Sequence, residues 1–347
     1  VRDDPPRFRL LEAVHALERG VGAGVGGAHG ARHPTRPGAE RSVESRVRAG
    51  MKKTLAWLVR GLARRGRRML SDSVPDRVFL ARRFKRTFGR RLNLRNPQTF
   101  NEKLYWLMLY YRPPLMSQLA DKYAVRQYVA QRVGPHILNE LYGVWDRVAD
   151  IDFARLPDAF VLKVNWGWRM NLFCPDKSAL NVEKAWAQLA AWMRRSYYWV
   201  EREWTHKDIK PRIICERLLT DPEWSSPTDY AFHCFGGEPR FFRVHTDRAG
   251  TPGSDIFDMQ WQRPPFVINR AASGRIIPRP RHFDDMVACA RSLARGWPFV
   301  RIDLYSVDGR TIFGEMTWHP GAGTNHFIPE SYDRHWGDQL HLPRPEW

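Results

Sequence analysis

Residues 299–317, FVRIDLYSVDGRTIFGEMT, alternate in character on both sides of an Asp-Gly pair. Period-two alternation around such a turn reads as a β-hairpin. On the first strand Val300, Ile302 and Leu304 share one face, and Phe299, Arg301, Asp303 and Tyr305 share the other. On the second, Phe313, Glu315 and Thr317 alternate with Ile312, Gly314, Met316 and Trp318. The hairpin therefore belongs to an antiparallel sheet with one face on a core and a polar face turned elsewhere.

Register decides what the polar face can do. A two-residue turn at Asp308-Gly309 would set Asp303 opposite Gly314 and turn Glu315 to the apolar side, a costly place for a charge. A three-residue loop, Val307-Asp308-Gly309, with Gly309 left-handed, sets Asp303 opposite Phe313 and Arg301 opposite Glu315. Asp303 and Glu315 are then diagonal neighbours, roughly 7–8 Å apart at the backbone. Two carboxylates so placed can hold a divalent cation, with Thr317 as a further oxygen. A solvated charged face is the plainer alternative.

The chain has 347 residues, enough for one large or two ordinary domains, and 43% hydrophobic and 13% aromatic content supports a substantial core. Lys and Arg number 56 against 37 Asp and Glu, a formal net charge of +19. That excess points to an anionic partner: phosphates, an acidic glycan, nucleic acid or an anionic membrane. Cys174, Cys215, Cys234 and Cys289 lack metal-ligand spacing and read as reduced thiols. No run approaches the ~18 apolar residues of a membrane span.

Residues 1–50 are rich in Arg, Gly and Ala and are expected to be disordered, with Met51 as the expected true start. Residues 51–95 are expected to form a basic helical segment. Within it Leu55, Leu58, Val59 and Leu62 make an apolar stripe ringed by Arg, suited to an anionic membrane surface or to packing; more basic residues follow at 82–91. Beyond residue 96 the pattern mixes helices and antiparallel strands without βαβ alternation, which argues for α+β. Helices are expected at 96–114, with Thr99 and Glu102 as a capping box, and at 119–134, 183–203 and 282–296. Strands are expected at 159–165 and 211–219, and a hairpin at 229–248.

Three charged positions stand out beside the hairpin. Lys163 lies inside an otherwise apolar strand, as a snorkelling side chain or a phosphate contact. Glu216 follows "PRIIC" and Lys122 lies in "ADKY"; each reads locally as an ordinary surface charge.

Taken in order, "NPQTFNEKLYWLMLY", "LADKYAVRQYV", "GVWD", "IDFARLPDAFVLKVN", "PRIICERLL", "DYAFHCFGGEPRFFRVHTDR" and "FVRIDLY…GRTIFGEMTWHPGAG" resemble the ATP-grasp superfamily. The resemblance is to its teichuronopeptide-biosynthesis-like branch and runs from about Asn96 to Pro343. It implies an ATP-grasp fold over 96–347: two α+β lobes enclosing a nucleotide cleft. It implies ATP and Mg2+ as cofactors, and a carboxylate–amine ligase working through an acyl phosphate. Lys122 and Lys163 match phosphate-contacting lysines. Glu216, Arg217, Leu218 and Leu219 match the strand that reads the nucleoside. Asp303 and Glu315 match magnesium carboxylates, with Thr317 in place of a common Asn. Arg301 would sit beside the transferring phosphoryl group.

The sequence also departs from that pattern. A glycine-rich phosphate loop is replaced by Asn165-Trp166-Gly167-Trp168-Arg169-Met170-Asn171, where Arg169 can serve as a substitute phosphate donor. Ala231 stands where a Lys is common. The implied partners are an acidic saccharide or other carboxylate plus an amine, with peripheral membrane contact through 52–91 on the cytoplasmic side. Two other readings stay open: a glycosyltransferase, for which "DID" at 150–152 would be the metal motif, and a non-catalytic basic nucleotide- or anion-binding protein. No nucleic-acid-binding signature is present.

Overall fold

The computed structural model describes residues 74–221, 223, 226–247 and 251–344. The expected disordered extension at 1–50 and the basic stripe at 52–70 lie outside the described residues. Among the described residues, eight α-helices run in chain order: α1 Asp76–Phe88, α2 Phe100–Tyr110, α3 Leu115–Ala120, α4 Val125–Arg132, α5 Val182–Met193, α6 Tyr198–Glu201, α7 Phe283–Ala294 and α8 Ser331–Gln339. The strands are β1 Leu141–Trp145, β2 Phe160–Val164, β3 Asn171–Cys174, β4 Ile213–Arg217, β5 Asp229–Phe235 and β6 Glu238–Thr246. They continue with β7 Gly253–Asp258, β8 Val267–Ile268, β9 Phe299–Val307, β10 Arg310–Thr317 and β11 Phe327–Ile328.

Thr99 begins α2 by the expected capping box. Its hydroxyl accepts from the Glu102 N–H while the Glu102 carboxylate accepts from the Thr99 N–H. Leu80 and Phe84 of α1 pack on Tyr105 and Met108 of α2, so residues 76–88 share a core with the helix that follows. The expected helix over 119–134 is two helices. Between them the Asp121 carboxylate accepts from the Tyr123 and Ala124 N–H groups, an Asx turn that competes with helix propagation. Lys122 therefore sits in a break and not on a helix face.

Two antiparallel sheets build the body. The first has strand order β1-β4-β2-β3 and packs Phe160, Leu162, Ile213 and Cys215 against Ala185, Leu189 and Trp192 of α5. The second has order β10-β9-β5-β6-β7. Its apolar face presents Phe232, Phe242, Val300, Ile302, Leu304 and Met316 to Phe283, Met286, Ala290 and Leu293 of α7. A two-stranded sheet, β11-β8, closes a third cluster with α2 and α8. All four cysteines are free and buried, as their spacing suggested. Among the described residues, no helix is long and apolar enough to cross a membrane.

The β9–β10 hairpin differs from expectation in its turn. Asp308 and Gly309 both have positive φ, 51° and 70°, and Val307 pairs with Arg310. This is a two-residue loop with both central residues left-handed. A bulge at Gly314 then moves the register by one, so that Glu315 pairs directly with Asp303 and Thr317 with Arg301. The three-residue loop, and the pairings of Asp303 with Phe313 and Arg301 with Glu315, are thus corrected. The shared polar face survives because the extra residue lies in β10 and not in the turn.

Candidate active site

On the polar face of the five-stranded sheet, Arg301 lies between two carboxylates. Its Nε donates to Asp303 Oδ1 at 2.6 Å and its Nη2 to Asp303 Oδ2 at 2.5 Å. The same Nη2 reaches Glu315 Oε1 at 3.2 Å and the Thr317 hydroxyl at 3.1 Å. Thr317 in turn donates to Glu315 at 3.2 Å. Asp303 is 4% exposed, whereas 35% of the Glu315 side chain is open.

Central strand β5 adds a third acid to this face. Ala231 pairs with Asp303, so Asp229 and His233 point the same way as the carboxylates. Burial pushes Asp303 up to about 7, with Asp229 and Glu315 adding to the rise and the Arg301 guanidinium opposing it. For Glu315, desolvation works against the charge, but Lys122 and then Arg301 outweigh it and hold the carboxyl well below its usual range. Burial likewise opposes the charge on Arg301, and Asp303 and Glu315 overcome it.

Lys122 joins this hairpin to the first sheet. Its Nζ donates to Glu315 Oε2 at 3.0 Å, and its backbone N–H donates to the Asn165 carbonyl at 2.8 Å, just past β2. Asn165 is fully buried and acts as a hub. Its Nδ2 donates to Asp121 Oδ2 and to the Lys210 carbonyl, and its Oδ1 accepts from the Arg212 N–H at 2.7 Å. Four backbone and side-chain bonds thus fix the break that carries Lys122.

Lys163 and Glu216 share the face of the first sheet turned away from α5, since Glu216 pairs with Val161, two residues from Lys163. Lys163 Nζ donates to Glu216 Oε2 at 2.7 Å, and Arg126 Nη1 donates to Oε1 at 3.1 Å. The ion pair is about nine-tenths buried at Glu216, where a lone carboxylate would be strongly disfavoured. Arg217 is exposed, and Leu218 and Leu219 are half-buried beyond the end of β4. The Arg217 N–H donates to the Glu140 carbonyl and its carbonyl accepts from Asn139.

The loop after β2 divides its two tryptophans. Trp166 is 3% exposed and belongs to the core beneath α5, while Trp168 is 62% exposed. The Arg169 guanidinium stacks on the Trp168 ring at 4.5 Å, with Arg169 itself left-handed at φ 57°. Trp166 therefore anchors the loop from below, whereas Trp168 and Arg169 are exposed. Asp150 and Asp152 are used locally: the first pairs with Arg147, and the second caps the turn at Ala154.

Lys122, Arg301, Asp303, Glu315 and Thr317 thus form one network, and Lys163 with Glu216 a second. Arg126, Asp121, Asn165 and Asp229 were not anticipated. Arg126 had a signal, standing four residues after Lys122 in an apparent helix. Asp229 had one in its alternation with Ala231 and His233, but only the strand order places it beside Asp303.

The family described as TupA-like ATPgrasp matches residues 102–341. No curated protein matches the chain. Among solved structures, the L-amino acid ligase from Bacillus licheniformis is 14% identical, with a TM-score of 0.44 over 77% of this chain. The chain spans 61% of that protein's length. D-alanine–D-alanine ligase from Bacillus anthracis, complexed with ATP, is 13% identical with a TM-score of 0.34, covering 58% of this chain and 55% of that one. The ATP-grasp ligase PsnB, complexed with minimal precursor, Mg and ADP, is 14% identical with a TM-score of 0.33, covering 63% and 57%. With its family matched over most of its length, the chain belongs to the TupA-like ATP-grasp family and has an ATP-grasp fold of mixed α and β structure.

Proposed function

We propose that the chain is an ATP-dependent ligase joining a carboxylate to an amine through an acyl phosphate. The carboxylate in this reading belongs to an acidic cell-surface saccharide or its precursor. Family membership supports the ligase class. The geometric observation that carries the reading is the meeting of Lys122 and Arg301 on Glu315, beside buried Asp303. Cations and acids at one point of a cleft suit the handling of phosphoryl charge.

In this reading Lys122, Lys163 and Arg169 contact the phosphates, and Glu216 to Leu219 hold the nucleoside. Asp303, Glu315 and Thr317 would hold Mg2+, and their oxygens are the hard donors that ion takes. The ion would supply charge neutralisation at the phosphates. Every carboxylate oxygen of Asp303 and Glu315 already faces a cation or hydroxyl. Holding the ion would therefore require Lys122 and Arg301 to turn from these carboxylates toward the phosphates of ATP. Arg301 would then turn to the transferring group. The substrate carboxylate attacks the γ-phosphorus and the bond to ADP breaks. The amine then attacks the acyl carbon, phosphate leaves, and the nitrogen gives up a proton.

In this reading the protein works at the cytoplasmic face of an anionic membrane, where residues 52–91 would make contact. Arg82, Lys85, Arg86 and Arg91 are exposed on and after α1, which suits such contact. The test is ADP release from MgATP in the presence of a uronic-acid oligosaccharide, with hydroxylamine added to trap the acyl phosphate as a hydroxamate. Saccharide-dependent ADP and hydroxamate are expected. ADP release without hydroxamate would remove the acyl phosphate from the account. A second reading, nucleotide binding without turnover, draws on the loop 165–171, whose one glycine is flanked by anchored Trp166. It predicts MgATP binding with no ADP release under any acceptor. The glycosyltransferase reading loses its motif, since Asp150 and Asp152 serve local contacts.

A further inference from the structure

Beyond the Glu315 end of the site, the chain between α6 and β4 holds a buried acid with no matching base. Glu203 is 5% exposed, and its ion-pair partner among the described residues is a histidine, His319, whose Nδ1 lies 3.3 Å from Glu203 Oε2. No Lys or Arg among the described residues pairs with it. A carboxylate so buried calls for a positive charge or several donors.

The groups around it are also unsatisfied. His319 Nε2, Thr205 Oγ1 and His206 Nδ1 are buried atoms with no hydrogen-bond partner among the described residues. His319 is 1% exposed and Thr205 0%. With the His319 Nδ1–H donated to Glu203, its Nε2 presents a lone pair. Glu203, Thr205, His206 and His319 thus offer acceptors in excess of donors. Such a cluster is rare in a folded protein unless something fills it.

Its place in the fold is set by contacts. His319 follows Thr317 by two residues at the end of β10. Trp204 packs on Met116 of α3, the helix that leads to Lys122. The Tyr197 and His206 rings meet edge to face at 5.2 Å. Arg83 of α1 ties Glu201 at 2.9 Å and the Ala322 carbonyl at 2.7 Å, closing the far side. Burial, and after it the charges of Glu203, Glu201 and Glu315, raise the Tyr197 phenol above its ordinary range.

We propose that Glu203, His206 and His319 line a subsite for a primary ammonium group, next to Glu315. An ammonium carries three N–H donors, which suit one carboxylate and two imidazole lone pairs. Identifying this ammonium with the amine co-substrate rests on the ligase reading above. The subsite would bring the nucleophile to the end of the cleft where Lys122 meets Glu315.

The test uses the full chain labelled with 13C at histidine Cε1, with the His206 and His319 resonances assigned by His206→Gln and His319→Gln. Methylammonium chloride is titrated at constant ionic strength, with tetramethylammonium chloride as the control that lacks N–H donors. Both resonances are expected to shift and saturate with methylammonium and not with tetramethylammonium. Glu203→Gln should weaken the response at least about 30-fold, the usual loss when a buried charge pair is truncated. If that variant does not fold, Glu203→Asp keeps the charge, shortens its reach, and should weaken it about tenfold. Absence of saturation, an equal response to tetramethylammonium, or unchanged affinity in the folded variant would overturn the subsite. MgATP binding by the wild-type chain is measured separately. Its failure counts against the ligase reading, whereas the ammonium titration alone decides the subsite.

Discussion

Glu315 lies directly across the ladder from Asp303, and a bulge at Gly314 puts it there. Without the bulge the two-residue turn would set Gly314 opposite Asp303 and turn Glu315 into the core packed by α7. One inserted residue decides whether β10 carries an acid onto the polar face or into an apolar layer.

Gly314→Ala tests that relationship. A Cβ at Gly314 would lie 3.0 Å from the Asp303 carbonyl oxygen and 3.0 Å from the Tyr305 ring. The backbone oxygen cannot swing away as a flexible side chain would. The variant should lose about 1–3 kcal/mol of stability in denaturant titrations, the range for overpacking. Displacement of Glu315 should also weaken magnesium-dependent ATP binding. Unchanged stability together with unchanged binding would show that the bulge is not strained by a methyl group.

Much of this fold was legible beforehand, for local reasons. The capping box at Thr99, the hairpin expected at 229–248, which pairs Phe235 with Glu238, and the faces of β9 are each written within a few residues. The Gly314 bulge was not legible, because a glycine on an apolar face reads like any other small residue. The break at Asp121 was hidden by good helical periodicity on both sides, and only the Asx turn interrupts it. The pairing of Arg126 with Glu216 spans 90 residues, and no local pattern announces it. The same holds for the approach of Glu203 to His319, which are 116 residues apart.

Acid should weaken the protein through His233. The ring is buried, stacks on Phe241 at 4.3 Å, and its Nδ1 faces the Ala231 carbonyl at 3.1 Å. Burial, and then Arg301 and Arg243, hold it well below the ordinary histidine value. Below about pH 6.5 the unfolded chain therefore takes up a proton that the folded chain refuses. Stability is fully present above that pH and falls as pH drops, by about 1.4 kcal/mol per pH unit for each such histidine. His233→Gln should flatten the slope between pH 6.5 and 5 by that amount in urea melts. An unaltered slope would locate the acid sensitivity elsewhere.

The two tryptophans of the 165–171 loop should behave oppositely. Trp166→Ala removes a core side chain and should cost about 3–5 kcal/mol, read by thermal unfolding. Trp168→Ala and Arg169→Ala touch an exposed pair and should leave stability within about 0.5 kcal/mol. If Arg169 serves the phosphates, Arg169→Ala alone should weaken MgATP binding several-fold. Equal ATP affinity in wild type and Arg169→Ala would take the loop out of the nucleotide site.

The central claim is that Asp303 and Glu315 hold magnesium together with ATP, and its most direct test is calorimetric titration of ATP with and without Mg2+. Wild type is compared with Asp303→Asn, which leaves the apolar face of Val300, Ile302 and Leu304 intact. The account predicts weak binding of Mg2+ alone, since Arg301 and Lys122 already neutralise both acids. It predicts a gain in ATP affinity of at least tenfold when Mg2+ is added to wild type, and loss of most of that gain in Asp303→Asn. An Asp303→Asn protein whose ATP affinity rises with Mg2+ as steeply as wild type would contradict it.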